Sequence, residues 1–438
     1  MALLAASSPP AAGRAILVVA ALSLSVPFLL RRVAAVFCAL PALIAPPELG
    51  KIFAYEVALF ALLAILLLHS RRDARSARRF RALDPVEVAF CAWLGWAAIS
   101  ALWSKELLWW GFGIRKLIIA GVALFTARRF ARETQSGDLE VGVTFAALAI
   151  AGVTLVKAVA NGASPGGTGF SRTDATDVGW GTSNYIAALL ALCAPTALHV
   201  AMHHRRAWAR LLGWFVLPFT AVVVAVAASR GGALLIVGAS AFTLMRARTK
   251  YGPWLWLGFA AALALLLLGP GGQVLVDRFA NVRDFGSVVV RLMLYRAGWR
   301  RLLAAWPGGL GCGQGFVTPD ALGATDAHNY WLMVGGELGL VGLVLWSALL
   351  ITLWKRISLA GREPGGATRA HALRVTFVIA QLNCLFEPTF SGLQYQFLFF
   401  WIVGAFLGQA NTRAAASALT SAASRLLQRD PGARAQAG

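Results

Sequence analysis

Apolar residues in this chain fall into long runs separated by short clusters of arginine and lysine. A spanning helix needs about 20 apolar residues, and runs of that character lie near 15–30, 33–49, 52–69, 86–103, 108–127, 139–160, 183–202, 209–228, 231–246, 253–269, 329–354, 373–388 and 395–410. The first two are short, broken by Arg31 and Arg32 and then by Pro41, Pro46 and Pro47, and together read as one span and one interfacial piece. The pattern predicts an all-α polytopic membrane protein of about twelve transmembrane helices. One long segment, 270–328, departs from it. It opens with the mixed charges of DRFANVRDFGS, after which Leu292, Leu294, Trp299, Leu302, Leu303 and Trp306 recur among Arg296, Arg300 and Arg301. That spacing predicts an amphipathic helix lying over the mouth of the bundle, stopped by Pro307 and Gly308. No internal repeat or solvent domain is visible, so residues 1–438 read as a single integral membrane domain.

Composition agrees with this picture. Of the 438 residues, 58% are hydrophobic and 13% charged, which excludes an ordinary soluble globule. The net charge of +21 does not indicate nucleic acid, because the basic residues sit between apolar runs as they do in cytoplasmic membrane loops. The clusters at 71–81, 128–132, 205–210, 246–250 and 355–374, with Arg413, Arg425, Arg429 and Arg434 in the tail, occupy every second loop. The C-terminus is therefore expected to be cytoplasmic, and loops 104–107, 161–182, 229–232, 270–328 and 387–394 extracytoplasmic. Arg31 and Arg32 stand where a signal-peptide cleavage site would need small residues, so the first helix reads as retained. The five cysteines form no disulfide framework and no zinc spacing.

Polar residues on the extracytoplasmic face carry the candidate chemistry. His328 is the one histidine assigned to that side, and an imidazole there suits a general base toward a sugar hydroxyl, with Asp326 able to orient it. Its bland alternative is an interfacial residue capping the following helix. Arg230, in SRGG, is a charge at a membrane boundary where Gly231 and Gly232 permit a tight turn; it suits a phosphate, or a lipid headgroup. Arg291, Arg296 and Arg300 add cations on the same side, with Arg291 the first choice, although solvated arginines are the ordinary alternative. Arg115 and Lys116 read as snorkelling, or as one reaching the same phosphate. In the polar loop 161–182, Trp180 could stack on a sugar ring, and Asn184 either caps its helix or lines that groove. Gly311, Gly313 and Gly315 read as a flexible turn, since no strand precedes them. No metal-ligand cluster is evident on this face, and neither metal nor cofactor is expected.

These residues resemble the bacterial O-antigen ligases and the related O-antigen polymerases. His328 and Asn329, nine residues, Gly339, two residues and Gly342 fit the family's histidine pattern. Arg291, Trp299, Pro307 and the GLGCGQGF turn resemble its lead-in, SRGG its Ser-Arg turn, and Asn184 the asparagine that opens a middle helix; the likeness covers residues 170–350. The resemblance implies a GT-C-type, metal-independent transfer of a glycan from undecaprenyl diphosphate on the periplasmic face of the inner membrane. For a ligase the acceptor is the lipid A-core sugar. His328 would activate the acceptor hydroxyl, Arg230 and Arg291 would hold the departing diphosphate, and Arg296, Arg300, Asn184, Trp180, Asn329 and Asp326 would contact substrate. The single dominant external segment favours a ligase. The alternatives are a polymerase, a protein-glycosylating member, or, in a different class, a transporter.

Overall fold

The computed structural model describes residues 59–60, 84–131, 137–160, 183–227, 229–246, 251–268, 275–276, 285–314, 327–363 and 366–409. Of the sequence-predicted runs, 15–30 and 33–49 lie outside these residues, as does nearly all of 52–69. The other ten are all helices: α1 (Pro85–Ile99), α2 (Leu107–Phe130), α3 (Asp138–Ala160), α4 (Ser183–His203), α5 (Ala207–Ala227), α6 (Arg230–Leu244), α7 (Gly252–Leu268), α9 (Tyr330–Ala360), α10 (Ala367–Phe386) and α11 (393–409). The amphipathic segment is α8 (Phe285–Ala304). Among the described residues there is no strand, and six helices are long and apolar enough to cross a membrane, namely α1 with its 3-10 extension, α2, α3, α4, α5 and α9. The α6 and α7 helices are apolar but shorter.

Burial separates an inner layer from a lipid-like rim. The central α4 is almost wholly covered, by α3, α5, α6 and α10. The α11 helix is buried along its length, with Tyr395, Phe397, Phe399, Phe400 and Trp401 inside, and its Gly404 and Gly408 let it close onto the α2 backbone at Leu124 and Arg128. On the rim, Phe215, Phe219, Leu234, Phe242, Leu257 and Ile351 are exposed, an apolar outer surface that a bilayer would cover.

The ends of the bundle differ in their charge. At one end Asp84 begins α1 with a capping box to Glu87. Those two carboxylates face Arg128 and Arg129 of α2 and Arg356 of α9, with Arg129–Glu87 at 2.5 Å and Arg356–Asp84 at 3.1 Å. Glu140 pairs with Arg369 nearby in the fold's same half. The opposite end holds the starts of α4, α6 and α9.

The α9 helix is broken. Gly339 has φ 66° and ψ −161°, a conformation open essentially to glycine alone. The chain after α8 fills the break: Leu310 N donates to Gly336 O at 3.0 Å, Gly311 N to Glu337 O at 2.8 Å, and Leu340 N to Pro307 O at 2.9 Å. Trp96 Nε1 donates to Leu338 O at 2.9 Å. The carbonyls of Gly336, Glu337 and Leu338 at the break thus accept hydrogen bonds from elsewhere in the protein, as an apolar surrounding demands. Of the glycine-rich turn expected to be flexible, Gly315 lies outside the described residues, while Gly311 and Gly313, with Gly309, are at positive φ and seated against neighbouring backbone or side chains.

Candidate functional site

Four helices deliver polar groups to one point. Pro388 forces the preceding residue out of the α conformation, so α10 stops at Phe386 and Glu387 lies extended at φ −143°, ψ 146°. Its side chain is 14% exposed. Oε1 accepts from Asn184 Nδ2 of α4 at 2.9 Å and from Arg291 Nη2 of α8; Oε2 lies 3.4 Å from His328 Nδ1, just before α9. Of the sequence-predicted residues, His328, Arg291 and Asn184 therefore meet, and the group on which they meet is a glutamate that no sequence motif marks.

Each participant is fixed by its own element. On α8, Arg291, Tyr295, Gly298 and Leu302 share a face at helical spacing. That face packs on α9: a side chain at Gly298 would press on Leu332, and Leu302 lies against Gly335. Tyr295 donates to Leu385 O at 2.8 Å, and burial pushes its phenol up, Glu387 adding to the shift and Arg291 opposing it. Arg296 and Arg300, on the other side of the helix, are exposed and are not drawn to Glu387. Asn329, not His328, caps α9: its Oδ1 accepts from Leu332 N at 3.0 Å, while Nδ2 donates to Leu385 O at 3.2 Å. Asn329 thus acts here on the fold. His328 itself is held at φ 46°, the sole non-glycine residue at positive φ among those described.

Asn184 does not cap its helix either. Its Oδ1 accepts from Ser229 Oγ at 2.7 Å, and Ser229 accepts from Gly232 N at 3.1 Å as the N-cap of α6. A directed chain of hydrogen bonds therefore runs from the α6 N-terminus through Ser229 and Asn184 to Glu387. Arg230 is the first residue of α6 and half-buried at this same end. The SRGG stretch is not the expected turn: Arg230, Gly231 and Gly232 already form the first helical turn, and Gly232 lets α6 approach Ala187 of α4. Trp180 and Asp326 lie outside the described residues.

The N-termini of α4, α6 and α9 converge here, and aligned backbone N–H groups favour an anion. Arg291 and Arg230 reinforce that preference; Glu387 opposes it. A carboxylate on Nδ1 of His328 favours the tautomer with its proton on Nδ1 and its lone pair on Nε2, the arrangement of a positioned general base. Among the described residues no group of three or more His, Cys, Asp and Glu side chains could hold a metal ion. Lys116 does not snorkel: with Glu337 it lines a cavity inside the bundle. No protein-family model matches the chain, and the curated proteins contain no match to it.

Proposed function

We propose that the protein is a membrane glycosyltransferase that moves a glycan from undecaprenyl diphosphate to a hydroxyl of lipid A-core sugar, an O-antigen ligase working on the periplasmic face of the inner membrane. The observation that carries this reading is the meeting of His328 and Arg291 on Glu387, where three helix N-termini converge. The resemblance of the His328–Gly342 and SRGG stretches to that family supports it from the sequence.

In the reaction, the acceptor hydroxyl attacks the anomeric carbon. A new carbon–oxygen bond forms, the bond to the diphosphate oxygen breaks, and undecaprenyl diphosphate leaves with the bonding pair. His328 Nε2 takes the hydroxyl proton, and Glu387 on Nδ1 stabilises the imidazolium. Arg291, Arg230 and the helix N-termini hold the leaving diphosphate, a positioning and electrostatic contribution that needs no proton at the leaving oxygen. Because Arg291 is already paired with Glu387, the donor must compete with that carboxylate. Donor binding would loosen Glu387 from the arginine and leave it to the histidine.

A transporter would draw on the break in α9. The carbonyls of Gly336, Glu337 and Leu338 there already accept hydrogen bonds from the protein, however, and the Glu387 cluster sits at an end of the bundle rather than its middle. The deciding experiment gives purified protein an undecaprenyl-linked glycan with, in separate reactions, lipid A-core, a second carrier-linked glycan, or a protein acceptor. Extension of lipid A-core supports the ligase; extension of either other acceptor replaces it with the polymerase or protein-glycosylating reading. No extension at all, in preparations that remain folded, removes the glycosyltransferase assignment.

A further inference from the structure

Beyond the start of α9 lies a cavity of about 250 Å³, bounded by α1, α2, α9, the 312–313 turn and the residues that open α11. Trp93, Lys116, Tyr330, Glu337, Ser391 and Gln396 line it. Lys116 and Glu337 attract one another across it, and Glu337 Oε2 also accepts from Gly313 N at 2.9 Å. Two of the lining residues also carry a buried polar atom without a hydrogen-bond partner. Trp93 is 1% exposed and its Nε1 makes no hydrogen bond; Gln396 is 2% exposed, gives Nε2 to Phe390 O at 2.8 Å, and leaves Oε1 unmatched. Buried polar atoms of this kind are uncommon and require an explanation.

We propose that this cavity is a saccharide subsite taking a single uncharged, hydroxylated ring of the acceptor, an inference that rests on the glycosyltransferase reading. The chemistry of the walls selects among the candidates. A polyprenyl chain would strand a lysine and a glutamate against hydrocarbon, at a high cost. A diphosphate would meet the Glu337 carboxylate. A sugar ring supplies hydroxyls that both donate and accept, matching the Glu337 carboxylate and the Lys116 ammonium together, while its C–H faces suit the aromatic wall at Tyr330. The volume lies a little below the roughly 300–1,000 Å³ of pockets for drug-sized ligands, which fits one ring and not an oligosaccharide. Tyr330, which lines the cavity, follows His328 by two residues on the same chain segment. The diphosphate stays with Arg291 and Arg230 on the other part of the site.

The test is steady-state transfer by the full chain in lipid nanodiscs, varying lipid A-core at saturating donor and then donor at saturating lipid A-core. The double variant Lys116→Met/Glu337→Gln removes both charges together and keeps an acceptor for Gly313 N, while Arg301, the other cation near Glu337, retains its hydrogen bond to Gln314 O. Gln396→Leu is a second, independent variant. The expected result is an acceptor KM raised about tenfold or more, the scale of losing charge-assisted hydrogen bonds, with donor KM within about twofold. An unchanged acceptor KM in both variants, or donor and acceptor KM rising together, overturns the subsite. A wild-type chain that extends no acceptor brings down the glycosyltransferase reading itself, a result distinct from either of those.

Discussion

Holding His328 at φ 46° costs of order 1 kcal/mol for a side-chain-bearing residue, and asparagine tolerates that region better than most. His328→Asn should therefore accumulate in the membrane at wild-type level yet lose transfer by roughly 100-fold or more, the scale of losing a general base. His328→Val should lose transfer and accumulate poorly as well. If His328→Asn transfers at the wild-type rate, the base assignment is wrong. Glu387→Gln keeps a hydrogen-bond acceptor but removes the charge that serves Arg291 and His328, so kcat should fall about 10- to 100-fold while Glu387→Asp retains an intermediate rate. Arg230→Lys should be slower by about tenfold despite its charge, because the bidentate fork is gone. These residues were unequally legible. The histidine pattern and SRGG marked His328 and Arg230, but Glu387 stands in FEPTFSG, which carries no motif. Its signal was the one used for Arg230, an isolated charge between apolar runs. Asn329 carried the opposite ambiguity: a residue beside a candidate base turned out to spend both ends of its amide on the fold.

At the level of elements, the break at Gly339 ties the site to the loop that follows α8. The three loop-to-helix hydrogen bonds at 307–311 fix where the first half of α9 points, and with it Asn329 and His328. A Cβ at residue 339 would overlap the Pro307 carbonyl and force a left-handed conformation on a non-glycine residue. Gly339→Ala should lower stability by about 3 kcal/mol, read as a drop of several degrees in the apparent melting temperature of the solubilised protein. Transfer by the surviving folded fraction should fall too, since His328 is displaced. An alanine variant that melts like the wild type would show that the break is not maintained in the protein. Helix existence was legible because apolar runs of this length have few other meanings. The break was not: hydropathy is unaffected by a single glycine, and only the neighbouring turn shows that the freed carbonyls have partners. The same blindness hid the cavity, since sequence cannot reveal that Lys116 of α2 and Glu337 of α9 face one another.

The molecule as a whole is polarised, with the Glu387 cluster at one end and the Asp84, Glu87, Arg128, Arg129 and Arg356 network at the other. The latter is a brace between α1, α2 and α9, and breaking a buried ion pair by removing one partner costs about 3–5 kcal/mol. Glu87→Leu should therefore depress folded yield strongly while leaving KM values of the remaining protein unchanged. Which end faces outward is a separate matter, since an apolar outer surface and six spanning-length helices are the same in either orientation. The basic loops argue that the Glu387 end is periplasmic. Cysteine labelling decides it. In a background where the five native cysteines are replaced, Lys105→Cys stands exposed at the Glu387 end and Arg205→Cys exposed at the other. With the outer membrane permeabilised, an impermeant maleimide should modify position 105 in intact cells and reach 205 only after the inner membrane is opened. The reverse order would turn the molecule over and put His328, Arg291 and Glu387 in the cytoplasm, where a lipid A-core acceptor and its carrier-linked donor could still meet but the periplasmic ligase could not be this protein.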